Sequence, residues 1–293
     1  MARIRLGLGT APLGGLFASI SDDEAAATVA AGWASGIRHF DTAPLYGSGL
    51  AEIRLGRALA NHPRHEFSIS TKVGRVLLPG EPDRHFVGSP ALTPVFDFSP
   101  AAVRRSLNES LERLRQEHVD VALLHDPEGH LDEARRAIDA AREFVPTVGV
   151  GTNVVATALT LVERGEIDVV LLAGRYTLLD QTAGDALLPL CAERGVPVHA
   201  AGVFNSGVLA GGTTFDYDTA SHEMLERRDA LADLCGRYGV PLAAAAIQFP
   251  LRHPAVHLVI VGARSPREIE EDARLLDTAI PPELWVELLE LPT

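Results

Sequence analysis

The stretch IRHFDTAPLYGSGLAEIRLGRALANHPRHEFSISTK, residues 37–72, decides the fold. It opens on a short apolar run at 37–40, turns, continues through an amphipathic segment at 49–60 and closes on a second apolar run at 67–71. Run, helix, run is the mark of a βα unit feeding a parallel sheet. The pattern recurs along the whole chain. Runs at 4–9, 37–40, 67–71, 119–124, 147–150, 169–173, 196–200 and 256–261 alternate with helices predicted at 22–35, 49–60, 100–115, 131–143, 154–164, 183–194, 222–238 and 266–277. Eight such units in 293 residues match a closed (β/α)8 TIM barrel better than an open doubly wound sheet. No low-complexity linker breaks the alternation, so 1–293 reads as one domain. Two connections are longer than a βα loop requires: 73–99, carrying Arg75, His85, Phe86, Phe96 and Phe98 and expected to form a lid or wall, and 202–221. An added helix is expected near 242–251.

Composition excludes several classes. A net charge of −13 disfavours nucleic acid and anionic membranes as partners. The apolar runs are strand-length, and residues 1–5 carry no signal-like apolar region, which gives the expectation of a soluble cytoplasmic protein. Two cysteines, Cys191 and Cys235, are too few for a disulfide framework and are read as buried thiols. No His-x-His stands on an early strand and 62–65 falls between elements, so no metal site is expected. Nothing in the sequence sets an oligomeric state.

One lysine stands among 26 basic residues: Lys72, at the end of the run 67–71. An ammonium is a compact charge with a movable pKa, unlike a guanidinium, and its survival here points to chemistry. Asp41 follows the second run and His125 the fourth, with Tyr46 in the loop after Asp41. Alone, each has a structural explanation: a turn aspartate, a loop aromatic, a satisfied core imidazole. Neighbouring barrel strands bring all four to one mouth. A phenol near its reference pKa of about 10 is a poor base at neutral pH, and an adjacent ammonium favours the phenolate. Lys72 would supply that charge, Asp41 would hold Lys72, and His125 would orient a substrate oxygen and share in the proton relay.

The run FDTAPLYGSGLAEIRLGRAL at 40–59, STK at 70–72 and LLHDPE at 123–128 resemble the aldo-keto reductase superfamily over the whole chain. The resemblance implies a catalytic tetrad at Asp41, Tyr46, Lys72 and His125, and NAD or NADP bound across the barrel mouth. AGRYTLLDQ at 173–181 and AGVFNSGVLAGG at 201–212 resemble its aldose dehydrogenase branch, with pyridoxal 4-dehydrogenase among the relatives. Gly7-Leu8-Gly9 is no dinucleotide fingerprint, since Pro12 takes the last glycine position.

By the same resemblance, Gly9 and Thr10 line the nicotinamide, and Asn153 meets its carboxamide beside Thr152, which replaces the usual serine. A helix N-cap is the alternative reading of both. Ala173 stands for the usual glutamine and Ala201 for the usual stacking tyrosine, with Phe204 as a substitute. The segment of Phe204, Asn205, Ser206 and Gly207, running on to Gly212, offers backbone amides to the pyrophosphate. Gly262, Ala263 and Glu268 stand where relatives that prefer NADP carry lysine, serine and arginine for the 2′-phosphate. NAD is therefore the expected cofactor, with NADP the alternative through Arg264. Ser265 and Glu268 also spell a capping box with Pro266 at the first helical position. Glu271 and Asp272 are expected at the adenine.

The expected activity is hydride transfer between nicotinamide and a carbinol or carbonyl carbon, with an aldose C1 hydroxyl oxidised to the lactone and Tyr46 as acid/base. The substrate class is thus a sugar or aldehyde. An aldehyde or ketone reductase is the alternative. A nucleotide-binding regulatory subunit is disfavoured by retention of all four catalytic residue types.

Overall fold

The computed structural model describes residues 5–216 and 218–291. Eight parallel strands close into a barrel: β1 (Leu6–Gly9), β2 (His39–Asp41), β3 (Ser68–Val73), β4 (Val121–His125), β5 (Thr147–Thr152), β6 (Val169–Ala173), β7 (Val198–Ala201) and β8 (Val256–Gly262). Each lies beside its sequence neighbours, and β8 returns to β1 with Leu6 opposite Val259. Parallel neighbours cannot be joined by a tight hairpin, so each connection crosses outside the sheet, and a helix is the way to satisfy that backbone.

The crossings hold α1 (Asp22–Ala34), α2 (Leu50–Leu59), α3 (Pro100–Leu114), α4 (Leu131–Ala141), α5 (Val155–Glu163), α6 (Leu187–Arg194), α7 (His222–Arg237) and α9 (Pro266–Leu276). The added helix is α8 (Leu242–Gln248). Their starts are written in the sequence. Ser21 and Glu24 form a reciprocal capping box on α1, and Ser99, Ser221 and Ser265 each accept an amide from the first turn of α3, α7 and α9.

The sequence reading and the structure differ at several points. Asp41 and His125 are the last residues of β2 and β4, and Lys72 lies inside β3, because strand pairing carries those ladders further than their apolar runs. Ile4 of the first run lies outside the described residues. The helix predicted from 183 begins as a 3-10 turn at Thr182–Gly184, with α6 following. One helix was not expected: α10 (Pro282–Glu290), which buries Leu284, Trp285 and Leu288.

Alternation along each strand divides two cores. Outward residues such as Leu8, Phe40, Ile69, Leu124, Val150, Leu172 and Val261 pack under the helices, while Val121, Leu123, Val169, Leu171 and Ile260 pack inside the ring. The inward positions of β2 and β3 are polar instead. Glycine on β5 makes room for them: a Cβ on Gly151 would stand 3.3 Å from Lys72 Cε.

The connection 73–99 is an ordered arm. Arg75–Pro79 pairs antiparallel with Leu92–Phe96, and a bridge between Leu16 and Phe86 fastens its tip to the loop after β1. The connection 202–221 holds a 3-10 turn, Asn205–Ala210, and a small hairpin of Thr214–Phe215 with Asp218–Thr219. Arg175 ties that hairpin down, pairing with Asp216 at 2.8 Å and donating to the Asn153 carbonyl at 2.9 Å.

Candidate active site

Strand register sets the centre of the site. Asp41 lies opposite Ser70 on the β2–β3 ladder, and Lys72 follows two residues on, on the same inward face. Lys72 and Asp41 are almost wholly buried, 2 % and 3 % exposed. The Lys72 ammonium donates to Asp41 Oδ2 at 2.6 Å, to the Thr42 carbonyl at 3.0 Å and to Tyr46 Oη at 2.9 Å. Those three bonds use all three of its hydrogens. Burial opposes the charge on Lys72, but the attraction and hydrogen bonds of Asp41 and Tyr46 outweigh it and hold the amine above its ordinary pKa. Lys72 is therefore an ammonium, and the Tyr46 oxygen receives its hydrogen bond.

Tyr46 is held by close backbone packing. A Cβ on Gly14 would stand 2.7 Å from the Tyr46 carbonyl carbon, and Gly47, at φ +63, faces Gly14 too closely for any side chain. The Tyr46 ring stacks on Phe86 from the arm, centroids 6.0 Å apart, and meets the His125 ring edge-on at 6.0 Å. His125 is buried, and its Nδ1 has no partner in the protein. Burial first, then the nearby Lys72 and Arg75 charges, press its pKa well below the ordinary imidazole value. A neutral ring suits His125 to orienting an oxygen rather than storing a proton.

Sequence reasoning gave no role to several neighbours. Asp126 Oδ2 lies 3.8 Å from His125 Nε2 and forms a 2.5 Å ion pair with Arg75, whose guanidinium covers the Phe96 ring at 4.3 Å. Asp126 sits at φ 48, a region aspartate tolerates. The signal available was the position of Asp126 directly after a strand end. On the outer face of β3, Thr71 donates to buried Glu52 at 2.6 Å, and Glu52 pairs with Arg113 at 2.6 Å.

The residues expected at a dinucleotide lie around the same mouth. Gly9 ends β1, and Thr10 beside it is buried, with its amide on the Asp41 carbonyl at 2.8 Å and its Oγ1 without a partner. Thr152 turns its hydroxyl to Glu128 and accepts the Val154 amide, while Asn153 is exposed. The N-cap reading of both is corrected: the cap of α5 is Val154, with no side-chain bond. Phe204 is half-buried, and Asn205, Ser206 and Gly207 take positive φ. The amides of Asn205, Gly207, Leu209, Gly211 and Gly212 bond within the loop, which removes them from the expected pyrophosphate donors. Asn205 Oδ1 is buried without a partner.

Gly262 ends β8, and exposed Arg264 follows. The expected capping box is half formed: Ser265 accepts the Glu268 amide, but the Glu268 carboxylate accepts from the Arg264 amide at 2.9 Å instead of from Ser265. Glu271 pairs with Arg274. Asp272 is buried, and desolvation, then repulsion from Glu268 and Glu271, pushes its carboxyl up to about 7. The unpartnered Thr10 hydroxyl, the unpartnered Asn205 Oδ1 acceptor, the exposed Asn153 amide and the Arg264 cation together offer donors and acceptors of the kind a nicotinamide dinucleotide needs.

The family model described as "Aldo/keto reductase family" matches residues 5–291. A D-threo-aldose 1-dehydrogenase from a Pseudomonas species is 40% identical, covering 97% of this chain and 93% of its own. A pyridoxal 4-dehydrogenase from Microbacterium luteolum is also 40% identical, over 97% of this chain and 92% of its own. The structure of the glycerol dehydrogenase AKR11B4 from Gluconobacter oxydans superposes with a TM-score of 0.78 at 24% identity, covering 98% of this chain and 90% of that one, which shows the shared barrel.

Proposed function

This chain belongs to the aldo/keto reductase family, as a nicotinamide-dependent oxidoreductase, and we propose that it oxidises the anomeric hydroxyl of an aldose to the lactone with Tyr46 as the base. A nicotinamide, when bound, would supply the hydride acceptor, and Gly9, Thr10, Asn153 and Arg264 are the residues that would hold the dinucleotide. The observation that carries the reading is the unbroken chain Asp41–Lys72–Tyr46, with contacts of 2.6 and 2.9 Å. An ammonium donating to the phenol oxygen favours the phenolate, and a phenolate at the mouth takes the C1 hydroxyl proton. His125 orients that hydroxyl as a neutral hydrogen-bonding ring. Phe86 stacks on Tyr46 from the arm and would cover that side of the phenol.

A polyhydroxylated substrate is supported by the Arg75–Asp126 pair beside His125, since a fork of donors and a pair of acceptors match adjacent hydroxyls. The relatives named for an aldose and for pyridoxal are each oxidised substrates' enzymes by name, and the aldose fits this polar wall. NAD is the proposed cofactor, because the Glu268 carboxylate already occupies the Arg264 amide where a 2′-phosphate would compete. A reducing, cytoplasmic location is the proposed one, supported by Cys191 and Cys235, which are both free thiols.

The test is a turnover screen of aldoses, pyridoxal and unhydroxylated aldehydes with NAD and NADP in parallel, on the wild type and Tyr46→Phe. Aldose oxidation with NAD, reduced by roughly 10²–10⁴-fold in Tyr46→Phe while dinucleotide still binds, is the expected result. Normal turnover by Tyr46→Phe would remove the proton-transfer role.

A further inference from the structure

Behind the Asp41 carboxylate, on the inward face of the same two strands, stands a second polar set that the proton transfer does not touch. His39 lies two residues before Asp41 on β2, and Ser68 and Ser70 precede Lys72 on β3, so the period of two gives all five one face. The ladder pairs His39 with Ser68 and Asp41 with Ser70. Ser70 is fully buried and donates its hydroxyl to Asp41 Oδ1 at 2.7 Å, the carboxylate oxygen that Lys72 does not use.

Counting hydrogens fixes the rest of the chain. A hydroxyl has one hydrogen to give, and Ser70 has given it to Asp41. At the 3.2 Å contact with His39 Nε2, Ser70 can therefore only accept, so Nε2 carries the imidazole hydrogen. The other nitrogen, Nδ1, then accepts from Ser68 Oγ at 2.8 Å, in preference to the longer 3.4 Å reach of that hydroxyl to the Arg38 carbonyl. Each member holds the next in one orientation, and the series ends on the catalytic carboxylate.

We propose that His39 and Ser70 are positioning residues for the proton transfer: the series Ser68, His39, Ser70 aims Asp41 so that its Oδ2 meets Lys72 and the ammonium keeps a hydrogen for Tyr46. This rests on the reading of Tyr46 as the proton-transfer group. Other titratable groups face this set from every side. Lys72 and Tyr46 lie toward the mouth, and His125 on β4 lies beyond Lys72. His199 on β7 meets the His39 ring edge-on at 5.1 Å, with exposed His257 on β8 acting on His199. Glu52 and Arg113 serve Thr71 on the opposite face of β3. Burial and then Lys72 lower His39 to about 4, and burial and then His39 lower His199 to about 3, so neither ring brings a charge to the set near neutral pH.

Loss of the Ser70 hydroxyl would leave the charge of a buried carboxylate less compensated, closer in effect to the Tyr46 oxygen, and would disfavour the phenolate. In steady-state aldose oxidation with NAD, Ser70→Ala is expected to raise the apparent pKa of kcat by about half a unit to one unit, with KM changed less than about twofold. Ser70→Thr, which keeps the hydroxyl, should return the profile toward wild type. His39→Gln, which keeps an N–H near Nε2, should shift it less than His39→Leu. A Ser70→Ala profile that coincides with wild type overturns the inference. A second measurement needs no variant: the ring ¹⁵N shifts of His39 in the wild-type protein should show hydrogen on Nε2, and hydrogen on Nδ1 overturns the proposal even if Ser70→Ala fails to fold. Normal turnover by Tyr46→Phe sinks the underlying proton-transfer reading, a result distinct from an unchanged Ser70→Ala profile, which sinks only this one.

Discussion

Lys72 has three hydrogens and three acceptors, and that closed count explains why an ammonium stands where the other basic positions carry arginine. A guanidinium is too broad for the space that Gly151 leaves, where an added Cβ would already press on the lysine stem at 3.3 Å. Lys72→Met keeps the stem and deletes the charge, so Tyr46 loses the group that favours its phenolate. The pH at which oxidation appears is expected to rise by at least about one unit, read from the kcat profile; an unchanged profile means that the ammonium does not tune the phenol. The grouping of Asp41, Tyr46, Lys72 and His125 at one mouth was legible in the sequence because Asp41, Lys72 and His125 follow three consecutive apolar runs with Tyr46 in the loop after Asp41, and Lys72 stood out as a single lysine. Ser70 and His39 were not legible: a serine and a histidine inside strands look like ordinary filling until the ladder puts Ser70 against Asp41.

On the proposed function, specificity would rest on two elements. The arm of 75–79 and 92–96 was recognised by its length, but its antiparallel pairing is what sets Arg75 beside Asp126 and lays Phe86 on Tyr46. The start of α9 is the other. Glu268 caps the Arg264 amide there, and Glu268→Ala should free that amide and remove a repelling charge, tightening NADP relative to NAD by about three- to tenfold in a binding titration. An unchanged ratio removes Glu268 from cofactor choice. Asp272, buried on the same helix, has a carboxyl raised from 3.8 to about 7. The folded state then holds a proton that the unfolded chain releases, so this group costs stability as pH rises from 3.8 through 7. Asp272→Asn should unfold later than wild type at pH 8, by about 1–4 kcal/mol, and lose that advantage below pH 4. Equal stability at both ends would contradict the burial argument.

Across the whole molecule, acid should act in the opposite sense. His39 and His199 inside the ring are lowered from 6.5 to about 4 and about 3, so below pH 6.5 the unfolded chain takes protons that the folded barrel refuses. Stability is expected to fall as pH drops from 6.5 toward 4, and His199→Gln should flatten that fall by about 1–3 kcal/mol in denaturant melts. An equally steep fall in the variant would remove His199 as a cause. The ring itself was legible, because apolar period and helix starts are local properties that residues within one turn or one strand determine. What the sequence by itself determined is the order of eight βα units and the residue types at each strand end. Only the tertiary structure decided how far each strand runs, which amides of the 204–212 loop are already bonded and what stands behind Asp41. Those depend on register and on contacts between residues far apart in the chain, and closure of β8 onto β1 is what gives every strand its final neighbour.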